Sequence, residues 1–122
     1  MLITNNKKTL KICDLGSAIS SDENTITEYL QSRYYRAPEI ILGCPYSNAI
    51  DIWSAAVTIF ELYTGNFLFP GTSNNHMLKL MMQTKGRFGN KMLRKGEYVY
   101  KHFDAQNNFL SQETDPVTRE VR

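Results

Sequence analysis

Hydrophobic residues follow two different rhythms along this chain. Near the start they alternate. Leu10 and Ile12 interleave with Thr9 and Lys11, after a first run Leu2-Ile3-Thr4 and a polar stretch Asn5-Asn6-Lys7-Lys8. A period of two around an Asn-rich turn predicts a β-hairpin over residues 1–13, with Leu10 and Ile12 on one buried face. Further on the rhythm becomes helical. From Ser47 to Thr64 the apolar residues Ile50, Ile52, Trp53, Val57, Ile59, Phe60, Leu62 and Tyr63 cover almost every direction, and Gly65 follows. That pattern predicts one long helix, buried all round and stopped at the glycine. A second helical run, capped by Ser73 or Asn74, reaches about Thr84 and carries a partly exposed Met-rich face, Met77, Met81 and Met82, that reads as core, with a docking site as the alternative. Pro38 to Leu42 forms a short helix with proline in its first turn. Ser20 to Glu28 is too polar for a core element, and from Gly86 onward the chain turns basic and irregular. The predicted fold class is mainly α with a short N-terminal β-hairpin.

Composition narrows the possibilities without deciding function. The 122 residues are 42% hydrophobic and 21% charged, an ordinary globular balance. A formal net charge of +2 gives no reason to expect direct nucleic-acid or membrane binding. No apolar run reaches the length of a membrane span, and Met1 leads straight into polar sequence, so a soluble, intracellular protein is expected. Cys13 and Cys44 lack metal-ligand spacing and fit a reducing compartment, with Cys13 expected as a small buried hydrophobe.

The candidate chemistry lies between residues 14 and 39. Asp14-Leu15-Gly16 opens this stretch, and Ser32-Arg33-Tyr34-Tyr35-Arg36-Ala37-Pro38-Glu39 closes it. By itself an acid at a strand exit serves an Asx-type turn more often than a metal ion. Joined through a loop to Arg-Ala-Pro-Glu, it resembles the activation segment of protein kinases, with Leu15 where the family usually has Phe. The closing octapeptide resembles the CMGC branch, which includes cyclin-dependent and MAP kinases. Asn74 to Leu80, Asn90-Lys91-Met92, Arg94-Lys95-Gly96, His102-Phe103-Asp104 and Asn108-Phe109 together are similar to the pre-mRNA-processing serine/threonine kinases of the Prp-four type.

The resemblance implies a partial kinase C-lobe: hairpin 1–13, activation segment 14–39, C-lobe helices 40–85, and a CMGC-type insertion with a polar tail over 86–122. It assigns Asp14 to magnesium and ATP, with Leu15 packed in apolar surroundings and Gly16 as the flexible neighbour. Tyr29 and Thr27 become candidate phosphorylation sites. Tyr29 stands four residues before Arg33 and seven before Arg36, whose guanidinium groups could bind a phosphate; a free loop tyrosine is the alternative. Ser32 would help hold the catalytic loop and Arg33 would shape the substrate pocket. Tyr34 and Tyr35 fit core and pocket wall. Glu39 would pair with an arginine beyond Arg122. Asp51, in Asp51-Ile52-Trp53-Ser54, would accept catalytic-loop N–H groups, serve as a first-turn acid, or both.

No His-Arg-Asp catalytic loop, Gly-rich loop or strand lysine precedes Asp14 in these 122 residues, and a kinase domain needs roughly twice this length. The expectation is a fragment, inactive alone, of an enzyme that transfers the γ-phosphoryl of ATP to protein Ser or Thr. Resemblance further implies spliceosomal protein partners and a nuclear site. A non-catalytic truncated lobe acting as a binding or decoy module is the competing reading. Another CMGC kinase, MAP-kinase-like or dual-specificity tyrosine-regulated, is a third.

Overall fold

The computed structural model describes residues 1–20, 22–23 and 25–112; the polar tail Asp115 to Glu120 lies outside them. Strands β1 (Leu2–Ile3) and β2 (Leu10–Lys11) pair antiparallel, with Leu2 opposite Lys11 and Ile3 opposite Leu10. The turn is closed by Lys7 N–H on the Thr4 carbonyl, at 2.7 Å. The left-handed residue is Lys7 (φ 57°) rather than an asparagine. Asn6 instead accepts hydrogen bonds from Lys8 N–H and the Thr4 hydroxyl.

The helices are α1 (Pro38–Ile41), α2 (Ala49–Thr64), α3 (Asn74–Lys85) and α4 (Asn90–Leu93). Their ends follow local chemistry. Pro38 occupies the first turn of α1, where its missing N–H costs nothing. Gly65 ends α2 in the left-handed region (φ 72°), its N–H bonding to Glu61 O. Ser73 caps α3 by accepting from His76 N–H at 3.1 Å.

The main core joins α1, α3 and the segment after Gly86. Ile41, Leu42, Phe69, Met77, Leu78 and Met81 are almost completely buried, and Leu93 and Phe103 seal the far side. Each large side chain here contributes about 1.5–3 kcal/mol of burial. The Met-rich face of α3 is therefore core. The basic stretch is better ordered than its composition suggests. Phe103 bridges to Phe109, and Asp104 closes the intervening loop by accepting from Gln106 N–H, Asn108 N–H and the Asn108 amide. The same stretch satisfies the free end of α1: Tyr98 N–H bonds to Leu42 O and Glu97 N–H to Gly43 O, both at 3.0 Å. Gly96 makes this approach possible, since a Cβ there would lie 2.4 Å from Leu42 O.

Two expectations fail for one physical reason. The hairpin has no buried face: Leu10 and Ile12 are both exposed, Ile12 at 81%. Helix α2 is apolar all round but buries only Ile50 and Val57, leaving Ile59 66% and Tyr63 91% exposed. Periodicity shows which surface seeks cover; among the described residues nothing supplies it. No helix of the described residues is long and apolar enough to cross a membrane.

Candidate functional site

Arg36 organises the closing half of the 14–39 stretch. The residue is 6% exposed, and its guanidinium donates from Nε to Leu30 O (3.1 Å), from one terminal nitrogen to Gln31 O (3.0 Å) and from the other to Asn74 Oδ1 (2.6 Å). One side chain thus ties the end of the loop to the start of α3. Burial, then the neighbouring Arg33 charge, lower the Arg36 pKa from its ordinary value. The Tyr29 ring lies over the guanidinium at 5.8 Å, with Tyr29 itself 72% exposed. Arg33, in the 3-10 turn Arg33–Tyr35, points elsewhere and donates to Thr72 O at 2.9 Å. Of the two arginines, Arg36 is the one against Tyr29. Thr27 is half-buried, and its hydroxyl accepts from Tyr29 N–H at 3.3 Å.

Gln31 is a hub that sequence reasoning did not single out. It adopts φ 69°, donates through Nε2 to Ile50 O and the Ser54 hydroxyl, and accepts from Ala37 N–H. Ser54 in turn donates to Tyr35 O at 2.8 Å. The segment is thereby locked onto the first turns of α2. Tyr35 adds a 2.6 Å bond to Glu61, which together with burial raises the phenol's pKa. Tyr34 packs on Phe67 with ring centroids 4.8 Å apart. No local signal in the sequence marks Gln31, which is itself the left-handed residue just before the 3-10 turn.

The 86–112 region reaches this segment from the other side. Lys101 Nζ pairs with Glu28 Oε1 at 3.1 Å, and the Tyr98 hydroxyl donates to Ile26 O at 3.3 Å. The hydrogen bond to Glu28 raises the Lys101 pKa.

The opening half is different. Asp14 is exposed in a left-handed conformation (φ 62°), its Oδ1 accepting from Gly16 N–H at 3.3 Å. Backbone conformations of this kind are sparsely populated for non-glycine residues and concentrate at functional sites. Leu15 is 71% exposed rather than packed, and Cys13 is exposed rather than a buried hydrophobe. Both corrections share the cause of the open hairpin. Cys13 and Leu15, with Ser32, Asp51, Ser54 and Thr58, border an open hollow of about 1090 Å³. Ser32 and Asp51 are exposed, with Asp51 in the first turn of α2. Glu39 is half-buried in α1 and makes no ion pair among the described residues. Trp53 stacks on Phe69 at 5.8 Å, and its Nε1 is buried without a hydrogen-bond partner among the described residues.

No group of three or more His, Cys, Asp or Glu among the described residues could enclose a metal ion. A lone carboxylate beside a glycine is still the donor type magnesium takes, since that ion keeps several waters and accepts few protein ligands. Asp14 fits the role of one such ligand.

The protein kinase domain family matches residues 1–117. This chain belongs to the protein kinase domain family. It is 54% identical over 120 residues to the serine/threonine-protein kinase prp4 of Schizosaccharomyces pombe, covering 98% of this chain and 25% of that protein. It is 48% identical over 122 residues to the serine/threonine-protein kinase prpf4B of Dictyostelium discoideum, covering the whole chain and 15% of the relative. The homeodomain-interacting protein kinase 1 of Caenorhabditis elegans is 42% identical over 94 residues, which is 77% of this chain and 11% of that protein. The kinase chain described here thus spans a quarter or less of the length of these relatives. Its N-terminal two-stranded sheet followed by helices fits part of a kinase domain.

Proposed function

We propose that this chain is the activation-segment portion of an ATP-dependent serine/threonine protein kinase. The observation that carries the reading is geometric. Asp14 sits at a hairpin exit, and a loop returns to Arg36-Ala37-Pro38-Glu39, which is fastened to α2 and α3 through Gln31 and Arg36. In this reading the rest of a kinase domain packs into the hollow before Asp51 and over the open faces of the hairpin and α2. When bound, magnesium-ATP supplies the transferable γ-phosphoryl group. Asp14 contributes a carboxylate toward the metal, and the 29–39 stretch positions the protein substrate. Phosphorylation of Tyr29, whose ring already lies 5.8 Å from the Arg36 guanidinium, would add a charge of about −2 to this neighbourhood and order the loop. Arg33 would join by leaving Thr72, and Thr27 is the second candidate hydroxyl.

Substrates belonging to the splicing machinery, and a nuclear site, extend the same reading from the sequence resemblance to pre-mRNA-processing kinases. The test is phosphoryl transfer. An intact domain carrying these residues, given labelled ATP, magnesium and spliceosomal proteins, should label Ser or Thr, whereas the 122-residue chain alone should not. Asp14-dependent transfer by the chain alone would overturn the fragment reading. Absence of transfer by the intact domain would favour a binding module.

A further inference from the structure

The kinase reading leaves unexplained why the 96–101 segment meets the activation segment so closely. Lys101 Nζ touches Glu28, the residue before Tyr29, and also lies over the Tyr98 ring at 4.7 Å. Its backbone has little freedom. Tyr98 and Glu97 are bonded to the end of α1, Lys101 N–H bonds to Tyr98 O, and Lys101 O accepts from the Gln112 amide at 3.0 Å. The ammonium is therefore held at the foot of the loop by elements outside that loop. Arg36 already spends three donors on Leu30, Gln31 and Asn74, and Arg33 is engaged at Thr72. A phosphate on Tyr29 would meet an incomplete set of free cations from the activation segment alone.

We infer that Lys101 is a further phosphate-binding cation for Tyr29, held by Glu28 in the unmodified chain and shared with the phosphate after modification. The inference rests on the reading of Tyr29 as a phosphorylation site. The physical basis is competition between neighbouring anions. A phosphotyrosine carries about −1.5 to −2 charges and three acceptor oxygens, against one charge on Glu28. Charge on the Tyr29 side chain also reaches both cations. The Lys101 pKa is raised first by its bond to Glu28, and further by Glu28, Tyr100 and Tyr29 charge; at Arg36 the Tyr29 charge opposes the lowering by burial and Arg33. The region that follows α3 would then sense the state of the loop through one ammonium group.

The experiment uses an intact kinase domain with phosphotyrosine installed genetically at position 29, followed by a phosphorus NMR titration. Nearby cations hold the second phosphate pKa below its ordinary value of about 6. Lys101→Gln should move that titration upward by about 0.5 pH unit or more, and Lys101→Arg should leave it near the unsubstituted position. Glu28→Gln, which frees the ammonium, should move it downward. Titration of Lys101→Gln identical to the unsubstituted domain would overturn the inference, as would an equal upward shift in Lys101→Arg, which would mark a structural effect. Mass spectrometry of the same domain from its own cells reports separately on whether Tyr29 is modified. An unmodified Tyr29 there sinks the regulatory reading, while the titration still decides Lys101.

Discussion

Replacing Arg36 by lysine should release the end of the 14–39 stretch without melting the helices beneath it. The guanidinium donates three hydrogen bonds that no other residue can make, to Leu30 O, Gln31 O and Asn74 Oδ1. Bonds from a charged donor contribute about 1.5–3 kcal/mol each. The cost of burying an arginine that has no ion-pair partner among the described residues offsets part of that gain. A net loss of about 2–4 kcal/mol follows for lysine, which can reach one or two of the three acceptors and lacks the planar fork. The stack on the Tyr29 ring adds about 0.5–1 kcal/mol at most, because Tyr29 is exposed. Amide exchange in the intact kinase domain reads this locally. The N–H groups of Tyr35, Arg36 and Ala37 are bonded to Ser32 O, Arg33 O and Gln31 Oε1. Their exchange should accelerate about 30- to 1000-fold in Arg36→Lys, while amides in the middle of α2 keep their rates. Unchanged exchange at Ala37 would refute the view that Arg36 holds this segment.

Three other outcomes follow from the structure. His102 is buried, and Asn75 fixes its state: Gln112 N–H donates to Asn75 Oδ1, so the Asn75 amide donates to Leu110 O and to His102 Nδ1. Burial lowers the His102 pKa, with Glu28 charge opposing and Lys101 charge assisting. Above about pH 6.5 stability is therefore insensitive to this group. As pH falls below that value the unfolded segment takes up a proton that the folded one refuses, and residues 99–112 should loosen, visible as faster intrinsic-rate-corrected exchange at Leu110 N–H and absent in His102→Gln. Gly96→Ala should cost about 1–3 kcal/mol and lower the melting temperature of the intact domain by several degrees, because its Cβ meets the Leu42 carbonyl that Tyr98 uses. Residues 1–122 alone should bind a hydrophobic dye and melt without a sharp transition, since the open α2 residues Ile52, Ile59, Leu62 and Tyr63 each forgo much of the roughly 1.5–3 kcal/mol that cover would supply. A cooperative melt with dispersed amide resonances would contradict this.

What could be read from the sequence was local. Pro38, Ser73 and Gly65 announce helix ends because proline, a hydroxyl and a left-handed glycine act on neighbouring residues. Exposure was not legible at Ile12, Leu15 or Tyr63, because an apolar pattern does not say whether a partner element is present. Long-range pairs were equally hidden. Lys101 and Glu28 are 73 residues apart, and Gln31 acts on Ile50 and Ser54 through an amide with no periodic signature. Spacing placed Arg33 and Arg36 near Tyr29, yet the 3-10 turn between them directs Arg33 to Thr72. Asp14 could be singled out only because Arg36-Ala37-Pro38-Glu39 follows its tripeptide, and its left-handed backbone could not be foreseen at all.

The catalytic role proposed for this stretch is tested most directly at Asp14. Among the described residues its carboxylate makes one bond, from Gly16 N–H at 3.3 Å, and Asp14→Asn removes the charge at nearly constant volume, so an unchanged melting temperature of the intact domain is the control for a fold effect. The measurement is the rate of phosphoryl transfer from magnesium-ATP to protein Ser or Thr by the substituted and unsubstituted domains. Loss of a charge-stabilising group at the reacting phosphate predicts a fall of about 100-fold or more. Transfer by Asp14→Asn at the unsubstituted rate would contradict the assignment of this segment to the catalytic machinery.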